Sequence, residues 1–234
     1  MTWTSVSGNL PKDESLCVIR EHHSNPKLLF AGTTKSVYVT FDGGLNWNKI
    51  RNNMPNNPVE DLKIHPREND LIVGTHGRSI WIADISWLQE INQETLSKDF
   101  HLFQPEDKVK WLNTGEYNSS SSNYNGESEP AGVPFTLYLK SEPKDIKLQV
   151  FEGSRMIYET IPAKKAGVNQ VVWNFAKRGT EPASTTSGQG GGRSSFRGIP
   201  TALPGTYTVK LIVDGKVQTR SFNVLKDVYV SQLR

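Results

Sequence analysis

With 234 residues, 35% of them hydrophobic and 22% charged, the chain has ordinary soluble composition and room for one or two domains. A formal charge of +3, scattered along the chain, excludes nucleic acid as a partner on electrostatic grounds. The lone cysteine, Cys17, excludes an internal disulfide, and no apolar run reaches the roughly 18 residues of a membrane span.

In chain order, Trp3-Thr-Ser-Val6 reads as a short strand, and the nine residues from Trp3 to Pro11 match those from Trp47 to Pro55 at an offset of 44. Leu29-Phe-Ala-Gly-Thr33 matches Leu71-Ile-Val-Gly-Thr75 at an offset of 42. Repetition at this period in brief β-rich runs is the spacing of one four-stranded propeller blade, whereas helical repeats would need apolar residues 3.6 apart. One blade then has strands B to D at Leu28–Thr33, Val37–Thr40 and Asn46–Ile50. The next has A to C at Val59–His65, Leu71–Thr75 and Ser79–Asp84. Trp3–Val6 is predicted to be the D strand of a blade before these. The result is an incomplete β-propeller over residues 1–85, its last two to three blades.

Ser86-Trp-Leu-Gln89 has the form of a capping box, so a short helix is expected there, with Trp87, Leu88 and Ile91 on one side. Together with the Ser/Asn/Gly-rich stretch 113–132 it forms a predicted helix and flexible linker over 86–132. From Val133 the pattern alternates apolar and polar: Phe135–Leu139, Ile146–Val150, Met156–Ile161, Val171–Phe175, Tyr207–Val213 and Ser221–Val224 read as strands. Asp214-Gly215 is a two-residue hairpin signal. An immunoglobulin-like β-sandwich over 133–234 is the expectation, interrupted by a Gly/Ser-rich, mobile insert at 177–199. The fold class is all-β. Trp173 and Tyr207 fall on apolar faces and read as core.

The segment Thr40-Phe-Asp42-Gly43-Gly44-Leu-Asn-Trp47 resembles the Asp-box, or BNR repeat, of sialidases and sortilin-type propellers. Its carboxylate can accept backbone N–H groups of its own turn, the two glycines tolerate positive φ, and the Trp packs beneath. Thr40, Asp42, Gly43, Gly44 and Trp47 are therefore structural. Gly74-Thr-His76-Gly-Arg78-Ser-Ile-Trp-Ile82 is similar to the last blade of bacterial proteins often labelled sortilin-like or glycosyl hydrolase. Gly167-Val-Asn-Gln-Val-Val-Trp173-Asn and Leu203-Pro-Gly-Thr-Tyr207 resemble their Ig-like C-terminal module, itself similar to that of flagellar hook-capping proteins. This sequence has Asn174 where that family usually has Asp, and the family has a complete N-terminal propeller, so the chain resembles a C-terminal part. The resemblance implies an extracellular or periplasmic full-length parent. The opening Met-Thr-Trp-Thr-Ser carries no export signal of its own.

Successive antiparallel strands put the D–A and B–C connections on one end of a blade and the Asp-box on the other. The first end carries Arg51, Asn53 and Asn57 with His76 and Arg78, side chains suited to carboxylates and sugar hydroxyls. These are the candidate binding residues. No catalytic residue, metal or cofactor is expected: Glu60 and Asp61 are consecutive on a strand and diverge, which leaves no carboxylate pair for glycoside hydrolysis. His22 and His23, neighbours on a strand, are expected to point to opposite sides and lack ligand spacing. The expected function is a non-catalytic binding or scaffold module whose partners are missing propeller blades or another protein chain, with carbohydrate as a further ligand class. The alternative is the C-terminal part of a glycoside hydrolase whose catalytic residues lie in N-terminal blades.

Overall fold

The computed structural model describes residues 2–50, 53–111, 130–177 and 201–228. It is all-β, built of antiparallel sheets, and divides into two compact units, residues 1–95 and 96–234.

The first unit holds two sheets. One has four strands in chain order, β1 (Leu16–His22), β2 (Asn25–Thr33), β3 (Val37–Thr40) and β4 (Trp47–Lys49). The other has three, β5 (Val59–Ile64), β6 (Asp70–Thr75) and β7 (Ile80–Asp84). Both are up-and-down meanders. Leu28, Phe30, Val37 and Val39 from the first pack against Val59, Leu62, Leu71 and Val73 from the second. This is the face-to-face stacking of consecutive blades, and the two A strands lie side by side where Arg20 on β1 reaches Asp61 at 2.6 Å and the Leu62 carbonyl at 2.7 Å. The sheets approach closely at Gly32, where an added Cβ would lie 2.6 Å from a methyl of Val59. Gly32 is thus a packing requirement, whereas at Gly74, its match in the repeat, an added Cβ would meet nothing nearer than 3.6 Å.

Three expectations are corrected in this unit. β1, which completes the first blade, is absent from the sequence reading because Leu-Cys-Val-Ile-Arg-Glu-His does not alternate cleanly. Its exposed side chains show why: its partner lies on one side only. Trp3–Val6 forms no strand: it enters no sheet ladder among the described residues, and its Val6 carbonyl accepts the Trp47 indole N–H instead. The segment after β7 is a 3-10 turn, Ser86–Glu90, followed by a one-turn helix, α1 (Gln93–Ser97). No capping box forms: Ile85 holds the N-cap position without a side-chain bond, and Ser86 instead has its N–H bonded to the Asp84 carboxylate at 2.8 Å. Ile85 and Leu88 plug the end of the inter-sheet core.

The second unit is a two-sheet sandwich. Its strands are β8 (Phe100–Leu102), β9 (Lys108–Lys110), β10 (Val133–Leu139), β11 (Ile146–Glu152), β12 (Arg155–Thr160), β13 (Gly167–Trp173), β14 (Gly205–Val213) and β15 (Lys216–Lys226). The sheets run β13-β10-β8 and β12-β11-β14-β15-β9, antiparallel except for the parallel pair β9 and β15. β8 and β9 lie in the stretch expected to be linker; each is only three residues long, Phe-His-Leu and Lys-Val-Lys, and each pairs along an edge that β10 or β15 offers. Alternate residues of both sheets fill one core around Trp173, whose ring lies 5.4 to 6.5 Å from those of Tyr158, Phe175, Tyr207 and Phe222. Phe175 has left the strand, at φ 65°. Tyr207 is buried, and its hydroxyl donates to the Leu203 carbonyl at 2.6 Å. A strand-entry Tyr pinned to backbone just upstream is a feature of immunoglobulin-like sandwiches. Asp214 and Gly215 both have positive φ, 46° and 82°, as a type I′ hairpin demands. The expected insert at 177–199 lies outside the described residues from 178 onward.

Candidate functional site

The segment Thr40–Trp47, which resembles an Asp-box in sequence, contains the turn from β3 to β4. One Asp42 oxygen accepts the N–H groups of Leu45 and Asn46, at 3.1 and 2.9 Å, and the Thr40 hydroxyl at 2.7 Å; the other accepts the Asn46 amide at 2.7 Å. These bonds, the Asn46 backbone N–H foremost, pull its carboxyl down to about 2. Gly43 and Gly44 take φ of 73° and 96°. Trp47 is buried and its indole N–H donates to the Val6 carbonyl at 2.9 Å, while the Asn9 side chain bonds both its backbone N–H and its C=O. Every acceptor of Asp42 is engaged within the turn, so its chemistry is spent on shape.

At the opposite end of the second blade, the loop before β5 and the turn from β6 to β7 meet. His76 donates its backbone N–H to the Pro58 carbonyl at 2.9 Å, and Asn57 donates its side-chain amide to the His76 carbonyl at 2.6 Å. The turn itself is closed by Thr75, whose hydroxyl donates to the Ser79 carbonyl at 2.7 Å, with Gly77 and Ser79 at φ of 70° and 75°. This tight geometry aims the His76 and Arg78 side chains outward, both exposed. The His76 ring meets Glu60 at 2.9 Å. The Arg78 guanidinium makes no ion pair among the described residues, while its carbonyl accepts the Trp81 indole N–H at 3.0 Å.

Asn57, His76 and Arg78 thus come together around one turn. Asn53 is exposed in the loop leading to Asn57, and Arg51 lies outside the described residues. Asn57 also fixes the neighbouring blade, its N–H bonding the Lys35 carbonyl at 3.1 Å. Lys35 in turn pairs with Asp13 at 2.6 Å, and Glu14 accepts the Thr33 hydroxyl at 2.6 Å and the Tyr38 hydroxyl at 3.1 Å. Sequence reading missed Glu60, Lys35 and Asp13 in this surface. The equivalence of the two B–C turns under the 42-residue offset would have brought Lys35 in. Glu60 and Asp61 do diverge, one to His76 and the other to Arg20.

His22 and His23 depart from expectation. An irregularity in β1 at Glu21/His22 lets the rings stack, centroids 4.3 Å apart. His22 is buried and accepts from the Ser24 N–H at 3.3 Å; burial, then the charge of His23, pushes its pKa below the usual 6.5. Among the described residues no group of three or more His, Cys, Asp or Glu side chains is placed to hold a metal ion. No helix among them is long and apolar enough to cross a membrane.

No protein-family model and no curated protein matches the chain. Among solved structures it is similar to PorZ, a surface component of the type-IX secretion system of Porphyromonas gingivalis, at 13% identity over 91% of this chain and 23% of that one, with a TM-score of 0.30. It is also similar to the extracellular domain of the putative one component system BT4673 from B. thetaiotaomicron, at 10% identity over 97% of this chain and 26% of that one, with a TM-score of 0.26. The chain spans about a quarter of the length of these structures. Both are bacterial surface or extracellular proteins; likenesses this low bear on neither ligand nor chemistry.

Proposed function

We propose that the chain is a non-catalytic binding or scaffold module of an exported Asp-box propeller protein, and that it recognises a protein or carbohydrate ligand through the loop end of its second blade. The observation that carries this reading is the Thr75–Ser79 turn, which presents on Arg78 a guanidinium with no ion pair among the described residues, beside His76 and Asn57. An exposed arginine held on a rigid turn, flanked by an amide and an imidazole, suits a carboxylate or a cluster of hydroxyls. The nearby carboxylate, Glu60, is committed to His76 rather than poised opposite a second acid.

An array of acidic and neutral glycans and of acidic peptides, probed with the whole chain and with Arg78→Ala, tests this. The expected result is binding to a carboxylate-bearing ligand that falls about tenfold or more in R78A, with the folded spectrum unchanged. Binding that R78A, N57A and H76A all leave intact would move the site elsewhere. Hydrolysis of a glycan by this chain alone would reject the non-catalytic reading.

A further inference from the structure

The unit formed by residues 1–95 leaves two sets of positions unsatisfied, and the repeat shows that they are complementary. Val37 and Val39 of the first blade are buried against the second blade's Val59 and Leu62, the four being between 0% and 6% exposed. Strand register identifies the counterparts of each. Val37 pairs with Gly32 and Ile80 with Gly74, so Ile80 and Ile82 stand where Val37 and Val39 stand one blade earlier. They are 68% and 66% exposed. Likewise Leu16 pairs with Thr33 as Val59 pairs with Thr75, and Ile19 pairs with Ala31 as Leu62 pairs with Val73. Leu16 and Ile19 are 54% and 38% exposed, beside a groove of about 400 Å³ lined also by Val6, Leu10 and Trp47.

Strand pairing is unsatisfied in the same sense. The first blade has its fourth strand, β4, beside β3, but among the described residues β7 has none, and the chain turns away at Ile85. The segment matching β4 in sequence is Trp3–Val6, which joins no sheet and leaves Trp3 95% exposed. The unit therefore carries, besides β4, one further segment with the sequence of a fourth strand that is not paired as one.

We propose that copies of this chain associate head to tail, Trp3–Val6 of one copy becoming the fourth strand on β7 of the next. In that arrangement the Leu16/Ile19 face of the donating copy covers Ile80 and Ile82, repeating between copies the packing present within one. Transposing the observed pairs Thr40 with Trp47 and Val39 with Asn48 sets the register: Trp3 opposite Ala83 and Thr4 opposite Ile82. Trp3 then lies on the face that carries Leu71, Val73 and Trp81, beside a small residue that leaves room for an indole. Such an interface joins two different surfaces and so either closes into a ring or grows. This inference is independent of the ligand reading.

Two variants, Ile80→Lys with Ile82→Lys and Leu16→Lys with Ile19→Lys, each spoil one surface at side chains exposed in the single copy. Native mass spectrometry and sedimentation of the whole chain should give multiples of 26.2 kDa for the wild type. Each variant alone should be monomeric, and an equal mixture of the two should give a dimer that grows no further, because one good surface of each kind remains. Thr4→Pro, which removes a ladder N–H, should weaken association about tenfold or more. In a Cys17→Ser background, a T4C chain mixed with an I82C chain should give a disulfide-linked mixed dimer and little of either homodimer. A wild type that stays monomeric at about 100 µM, well above the Kd expected of a specific interface, would overturn the proposal, leaving β7 to blades of a longer chain. So would association that both lysine variants leave unchanged.

Discussion

Ile80 and Ile82 alternate on one face of β7 and stand in solvent, whereas Val209 and Leu211 alternate in the same way on β14 and are fully buried. The local pattern is equivalent. In the sandwich the opposing sheet comes from the same unit, and β10, β11 and β14 all have a partner strand on either side. In the blade unit each sheet covers one face of its neighbour, and the outer faces leave Leu16 and Ile19 exposed on the first sheet, beside the buried Leu29, Ala31, Tyr38 and Trp47, and Ile80 and Ile82 exposed on the second. A sandwich is closed by two sheets; a blade array is closed only by a ring, so equal strand-forming quality yields a self-sufficient core in one case and sticky ends in the other.

The largest expected effect tests the closed half. Trp173→Ala removes a fully buried indole that touches four other rings and should cost about 3–5 kcal/mol, enough to unfold the sandwich, while hydrogen exchange in residues 1–95 stays near wild type. Uniform loss of protection in both units would show that they fold as one. Next comes solubility of the separated halves. A fragment of residues 96–234 keeps β8 and β9 and should be a soluble monomer, whereas one beginning at 107 loses β8 and exposes the edge of β10; a fragment of 1–95 should associate. Size-exclusion chromatography ranks the three.

Asp42→Ala strips the turn of its acceptor and should cost about 2 kcal/mol in urea unfolding of the blade unit. Because the folded carboxyl lies at about 2 against an ordinary 3.8, the contribution of the Asp42 turn is fully present above about pH 4 and is lost as pH falls toward 2, a slope absent in D42A. Tyr207→Phe removes the hydroxyl that bonds the Leu203 carbonyl and should cost about 1 kcal/mol, read from the sandwich transition alone. The smallest effect concerns His22. Its folded pKa lies below 6.5, so the unfolded chain binds the proton first, and blade-unit stability should decline as pH drops below that value. His22→Gln should flatten this slope in thermal unfolding followed between pH 7 and roughly pH 5. An unchanged slope would place the titrating group elsewhere.

What was legible in the residues alone is what short-range chemistry decides. The Asp42 turn, the Asp214-Gly215 hairpin, the repeat of Leu-Phe-Ala-Gly-Thr and the burial of Trp173 and Tyr207 each follow from φ preferences, two-residue alternation or side-chain acceptors within a few positions. The common end of the blade that gathers Asn57 and His76 also followed, since antiparallel connections alternate ends. Tertiary structure decided the rest. β1, β8 and β9 have little strand character of their own and exist because a neighbour offers an unpaired edge. Trp3–Val6 has the pattern of a strand and is none, because it pairs with no strand of this unit. Glu60 joined the candidate site through a contact sixteen residues distant along the chain. Strand formation is a pairing reaction, so a sequence determines which segments can be strands, while the fold decides which of them find a partner.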